Sequence, residues 1–294
     1  MNNTTNQHMS FKNYAFGLIF YSATAVSAFA IILNFIVMVI FATSKKLWKK
    51  QNIFIFSLVM TDILGNLGMC LGVFEKSTKE NIHYESHGNH GEVIWIYVAF
   101  SSTSMLTLAA VAMDRFIALV WKPFNYDCII TVRRCIIVCI MLWIIPFITY
   151  SLIGVQHMTM LFSISFYLSL LLISCLYIKI FQCLNKSNSA VLQQNPEECK
   201  RSKKLLKTFL IIIGAFVICW LPISVQNVIF TAGECGNSKN CLTILSIFMN
   251  ISTLNSLANP IIYWLRLSEF RSAVLTFFQR WVVPVNVITP SGPA

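Results

Sequence analysis

Long apolar stretches alternate along the chain with short polar and basic ones. A helix needs about 20 apolar residues to cross a hydrocarbon core about 30 Å thick, and seven stretches reach that length, over residues 15–43, 53–74, 93–121, 135–155, 158–184, 210–232 and 242–265. Each stops at polar or charged residues, so the pattern predicts an all-α, seven-transmembrane helix bundle. The first stretch is too long for the core of a signal peptide and runs into Ser44-Lys45-Lys46 without a small-residue cleavage pattern, which makes it a retained span. The connections are short and no internal repeat is visible, against the inverted-repeat plan of many transporters. The longest loops are residues 75–92 and 185–203, and the fourth and fifth spans are joined by a few residues around Gln156 and His157.

Composition sharpens the picture. Of 294 residues, 56% are hydrophobic and 11% charged, where soluble domains run about 45–50% and about 25%. Such a chain is too apolar to be disordered and too poor in charge to face water all round. The formal charge of +11 would suit a nucleic-acid partner if the basic residues lined one face. They sit instead in short clusters between the spans, so nucleic acid is set aside and the clusters orient the chain. Lys45, Lys46, Lys49 and Lys50 follow the first span; Lys122, Arg133 and Arg134 follow the third; Lys186, Lys200, Arg201, Lys203, Lys204 and Lys207 follow the fifth. The other face has only Lys12, Lys76, Lys79 and Lys239. Basic loops stay cytoplasmic, which puts the N-terminus outside and the C-terminus inside. Asn2 and Asn3 then lie in overlapping glycosylation sequons of the outer tail. On this topology Cys235 and Cys241 are the cysteines facing outside, so they are the disulfide candidate, with two free thiols as the alternative.

Ionisable groups at bilayer depth are costly and point to function. Asp62 lies in the second span, Asp114 and Arg115 near the inner end of the third, and the seventh adds Asn250, Asn255 and Asn259. Taken singly, such residues act as polar glue between helices. Together with Asn34, Leu58-x-x-x-Asp62, Asp114-Arg115-Phe116, Trp143, Phe216-x-x-Cys219-Trp220-Leu221-Pro222 and Asn259-Pro260-Ile261-Ile262-Tyr263, with Phe270 beyond, they form an ordered set across residues 15–281. This set resembles the rhodopsin-like (class A) G-protein-coupled receptors.

The resemblance implies a plasma-membrane receptor for an extracellular ligand, with a heterotrimeric G protein and arrestin as cytoplasmic partners. It implies that Asp114 pairs with Arg115, that Tyr177 and Tyr263 close around the arginine on activation, and that Asn259 and Pro260 belong to the same switch. Phe216, Trp220 and Pro222 would form a toggle and hinge, since a helix-interior proline removes a donor and kinks the helix. Asp62, Ser104, Asn255, Ser256 and Asn259 match the family's sodium pocket. Hard oxygen ligands around one carboxylate suit such a cation, and a water-filled network without sodium is the alternative. Eighteen residues before Trp220, where many relatives carry an acid that latches the arginine, stands Ser202; one restraint is missing, and basal signalling is expected. Phe270, Val274, Leu275, Phe278 and Trp281, flanked by Arg271 and Arg280, are spaced for a short amphipathic eighth helix on the membrane surface. The organisation expected is an outer tail over 1–14, the bundle over 15–265, helix eight over 266–281 and an inner tail over 282–294.

Departures from the family pattern narrow the relatives. The usual disulfide from the third span to the second outer loop cannot form, because His90 stands at its third-span position and that loop is tiny. Ser169 replaces the proline of the fifth span. These features look like the branch that holds the melanocortin, adenosine, lysophospholipid and cannabinoid receptors. Tyr97 stands where amine receptors carry a carboxylate, and the seventh span has no Lys for a retinal Schiff base. The remaining pocket palette is Tyr97, Ser101, Trp220, Ser224, Asn227 and Thr253, apolar with a few hydrogen-bonding groups. It suits a neutral small molecule or a lipid, with a nucleoside or peptide as alternatives. His83, His87 and His90 with Glu85 read as a solvated outer loop or as a zinc-binding one.

Rival functions predict other things. An enzyme needs a nucleophile and base or a buried metal cluster, and none is visible in the sequence. A channel or proton transporter using Asp62 as a relay predicts currents independent of G proteins. A non-signalling scavenger is opposed by the intact Asp114-Arg115 and Asn259-Pro260 motifs.

Overall fold

The computed structural model describes residues 2–80, 91–153, 155–185, 196–233, 239–266 and 268–282, and among these there is no strand. Helix α1 spans Asn2–Thr43, α2 Ile53–Glu80, α3 Gly91–Phe116, α4 Val132–Leu152, α5 Val155–Asn185 and α6 Pro196–Thr231. Helix α7 has two halves, Lys239–Thr253 and Asn255–Arg266, and α8 runs over Ser268–Val282. A single turn, Tyr126–Ile129, lies between α3 and α4.

Burial is inverted relative to a water-soluble protein. Ile136, Ile140, Ile144 and Ile148 of α4 point outward, while Asn34, Thr61, Asp62, Thr103 and Thr107 are buried. In water such an outer face would drive aggregation; in lipid it is the favourable side, and polar groups gain by facing each other. Apolar stretches of 20 to 27 residues lie in α1 to α5, and α6 carries the shorter Ile213–Ile229.

The helices overrun the expected spans. Helix α1 starts at Asn2 rather than near Ala15, so residues 2–14 of the tail expected over 1–14 are helical, with Asn2 and Asn3 in the first turn. No Pro or Gly precedes Gly17, and extending a nucleated helix costs little per residue. Helix α6 begins at Pro196, inside the loop expected over 185–203; Pro opens helices readily, and the Lys, Glu and Leu after it are good helix formers. Helix α4 ends at Leu152 and α5 begins at Val155, so Gln156 and His157 lie in the first turn of α5 rather than in the connection. His83, His87, His90 and Cys235 lie outside the described residues, as do the side chain of Cys241 and the tail beyond Val282.

Helix α3 packs against α2, α4 and α5. A Cβ at Gly65 would sit 3.2 Å from the Cβ of Phe100, so α2 and α3 approach through a bare backbone. The contact is the Cβ of Phe100, which moves only with its helix. Overpacking at Gly65→Ala is therefore expected to outweigh the helix-propensity gain of about 1 kcal/mol, for a net loss of up to about 2 kcal/mol read as a lower Tm in detergent. Trp143 Nε1 donates to Ser57 Oγ at 3.0 Å, tying α4 to α2.

Helix α7 is interrupted at Leu254, and Pro260 removes the donor that would have met the Ser256 carbonyl one turn back. Asn34 of α1 repairs the loss: its Nδ2 donates to Ser256 O at 2.9 Å and to Ala30 O at 3.0 Å. Asn34→Ala leaves that carbonyl unpaired in the core and is expected to cost about 1–3 kcal/mol, measured as a lower Tm. An unchanged Tm would mean that another donor takes over.

The end of the bundle next to α8 is a bracket. Leu47 is buried, Trp48 Nε1 donates to Phe41 O at 2.8 Å, and Lys49 pairs with Glu269 of α8 at 2.8 Å. Phe270 stacks on Phe41 and Tyr263, with ring centroids 6.0 and 6.4 Å apart. Ala273 and Val274 face inward while Leu275 and Phe278 are exposed, so α8 is amphipathic as well as docked.

Candidate functional site

Three clusters lie along the bundle axis. At mid-depth, Asp62 is buried and accepts hydrogen bonds from Ser256 Oγ at 3.0 Å and from Asn259 Nδ2 at 2.9 Å. The hydroxyls of Thr61 and Ser104 are 2.8 Å apart, and Asn66 Nδ2 donates to Asp62 O at 2.7 Å. Thr61, Asp62, Asn66, Ser104 and Ser256 border a cavity with about 20 Å³ of room for the centres of water-sized guests, which Asn259 does not line; that is enough for a water molecule or a small ion. Asn255, Tyr97, Ser101 and Trp220 also line it.

The donor set fits a monovalent cation. The carboxylate is met by the neutral donors Ser256 and Asn259, hydroxyl and amide oxygens surround it, and the buried Asn66 Oδ1 has no hydrogen-bond partner. Among the described residues no group of three or more His, Cys, Asp or Glu could hold a metal, so the arrangement does not suit a transition metal. Thr61 and Asn66 escaped the sequence reading, although Asn66 is one helical turn after Asp62 and shares its face.

Above this cavity Trp220 is held by rings. Phe162, Phe216 and Tyr97 lie with centroids 5.4, 6.3 and 6.3 Å from it. Tyr97 and Ser252 hydroxyls are 3.2 Å apart, and Ser101 Oγ donates to Tyr97 O at 2.8 Å. The pocket palette therefore divides. Tyr97, Ser101 and Trp220 share the cavity with Asp62, whereas Ser224, Asn227 and Thr253 do not line it. Thr253 Oγ1 is turned onto its own helix, donating to Asn250 O at 2.7 Å, and Ser224 Oγ is buried without a hydrogen-bond partner. Ser252 and Thr253 both donate to a carbonyl three residues back on their own helix, which sequence spacing does not reveal.

At the α8 end of the bundle Asp114 and Arg115 are both buried, with Arg115 Nη2 and Asp114 Oδ2 2.8 Å apart. Tyr126, from the single turn after α3, donates its hydroxyl to Asp114 Oδ1 at 2.8 Å. Burial and then the neighbouring Asp114 carboxylate push the Tyr126 phenol up, so it stays protonated and remains a donor. The phenol oxygens of Tyr177 and Tyr263 are buried without hydrogen-bond partners. An unmade buried hydrogen bond costs about 1–3 kcal/mol, which an alternative packing that reached a partner would recover. Tyr126 also escaped the sequence reading, because a loop residue carries no periodic signal.

Residues 33–159 and 151–263 match the family described as 7 transmembrane receptor (rhodopsin family). The chain is 25% identical over 273 aligned positions to sphingosine 1-phosphate receptor 3 of Takifugu rubripes, covering 84% of this chain and 69% of that one. It is 25% identical over 293 positions to sphingosine 1-phosphate receptor 2 of Homo sapiens, covering 90% and 80%. It is 24% identical over 306 positions to octopamine receptor beta-1R of Drosophila melanogaster, covering 83% and 58%. The family match extends over most of the chain and contains the mid-depth cavity, the ringed Trp220 and the buried Asp114–Arg115 pair: the chain is a multi-pass membrane receptor of the rhodopsin family.

Proposed function

We propose that the chain is a plasma-membrane receptor for a neutral lipid or lipid-like small molecule that activates a heterotrimeric G protein through Arg115. The observation that carries the coupling step is the inner cluster, where a buried arginine is held by one carboxylate that a loop tyrosine also engages. A ligand that binds one bundle arrangement better shifts the population toward it. Opening the inner end then frees Arg115 for a G-protein helix, with Tyr177 and Tyr263 gaining partners. Arrestin would use the same cleft. Two sphingosine 1-phosphate receptors among the relatives support a lipid. The amine named for the octopamine receptor needs an anionic partner, and Tyr97 offers a hydroxyl. Every Arg of the chain lies in the inner half of a span or in an inner segment, and the outer Lys12, Lys76, Lys79 and Lys239 fall outside the spans, so the outer halves of the spans hold no cation to grip a phosphate headgroup; this favours a neutral headgroup.

The distribution of Lys and Arg supports an outer N-terminus and an inner C-terminus. Of the five residues expected to hold sodium, Asp62, Ser104, Asn255 and Ser256 line the cavity that would take it, while Asn259 supports the site by donating its amide to the carboxylate; a cation there would favour the closed packing. G-protein dissociation sensors in cells test the ligand class. Monoacylglycerols and fatty-acid amides are expected to evoke dissociation, and sphingosine 1-phosphate to act more weakly. A response confined to octopamine or to adenosine would overturn the lipid reading.

A further inference from the structure

Lys50 stands where the first inner connection meets the second. Its ammonium donates to Ile130 O at 3.0 Å, pairs with Asp127, and lies 4.2 Å from the centroid of the Tyr126 ring. Its side chain is 21% exposed while that of Asp127 is 90% exposed, so the carbonyl and the ring are the sheltered contacts and the carboxylate the weak one. The Tyr126 hydroxyl reaches Asp114 Oδ1, and Asp114 Oδ2 meets Arg115. The chain of contacts thus runs from the first inner connection through a loop tyrosine to the arginine. Its neighbour Lys49 points the other way, to Glu269 of α8.

We propose that Lys50 is a positioning residue for Arg115: by holding the Tyr126 ring it keeps Asp114 engaged on both oxygens, and so adds a restraint on the arginine from the inner loops in a chain that has Ser rather than an acid at position 202. The inference rests on the proposed coupling role of Arg115. It sets an order among variants. Tyr126→Phe removes the donor from a buried carboxylate and acts most strongly. Lys50→Gln loses the cation over the ring and, being one bond shorter, falls short of the Ile130 carbonyl. Asp127→Asn weakens only an exposed pair.

The test uses the full chain in lipid nanodiscs without ligand, with two readouts: nucleotide exchange on a panel of purified heterotrimers, and amide hydrogen exchange over Tyr126–Ile129 and the inner end of α3. Ligand-free nucleotide exchange is expected to rise about tenfold in Tyr126→Phe and about threefold in Lys50→Gln. Lys50→Arg and Lys49→Gln should stay at the wild-type level, the latter losing the same charge one residue away. Amide exchange should quicken in Lys50→Gln and stay unchanged in Lys49→Gln. Equal behaviour of Lys50→Gln and Lys49→Gln in both readouts overturns the proposal. If no heterotrimer responds to any form, the coupling reading fails on its own; amide exchange then decides for Lys50, with faster exchange specific to Lys50→Gln supporting the positioning role and equal exchange overturning it.

Discussion

Arg115→Ala is expected to reduce ligand-evoked G-protein activation to background while leaving the receptor at the cell surface and its ligand affinity nearly intact. Arg115 is 6% exposed and its guanidinium meets Asp114 Oδ2 at 2.8 Å. A buried pair of this kind contributes little net stability, yet breaking it from one side costs about 3–5 kcal/mol because the partner charge stays buried. Here that cost is softened, since Tyr126 still donates to Asp114 Oδ1. The loss of function therefore separates from loss of fold when surface expression is matched. Asp114→Asn should move the other way, loosening Arg115 and raising ligand-free signalling, with the two variants compared by the same dissociation sensor.

Asp62→Asn is expected to abolish the dependence of stability on sodium. The substitution keeps the size of the side chain and removes the charge that would draw a cation into the 20 Å³ cavity. Ser256 and Asn259 both donate to the carboxylate, so the new amide nitrogen must turn from one of them, at a cost of about 1–3 kcal/mol. In wild type, replacing choline chloride by sodium chloride should raise Tm by about 1–2 °C, the shift that about 1 kcal/mol of binding linkage gives at this chain length. The variant should show no difference between the two salts. Equal Tm values for wild type in both salts would favour the water-filled network that the sequence reading left as the alternative.

What the sequence made legible follows from how each signal arises. The spans were readable because lipid demands long apolar runs, and the family was readable because its motifs occupy fixed depths. Asp62, Asn259 and Ser256 meet because their helices must bury polar faces together. Helix ends were less legible: residues 2–16 and 197–209 contain no Pro or Gly, so the helices α1 and α6 run past the membrane boundary that hydropathy marks. The seventh span shows the converse. Its Asn, Ser and Thr make it one of the less apolar crossings, and the reason is that it carries much of the polar cluster. Contacts that depend on loop conformation were invisible, as with Tyr126 on Asp114 and Lys50 on Tyr126. So was the orientation of short hydroxyl side chains, which is why Thr253 proved to be turned away from the cavity.

The most direct test of a lipid-activated, Arg115-dependent receptor is a panel of G-protein dissociation sensors in cells expressing wild type or Arg115→Ala at matched surface levels, exposed to a library of neutral lipids. The account predicts that at least one lipid dissociates one class of heterotrimer in wild type and that Arg115→Ala abolishes the response. A lipid response that persists in Arg115→Ala, or ligand-evoked currents with no heterotrimer dissociated at full surface expression, would contradict it.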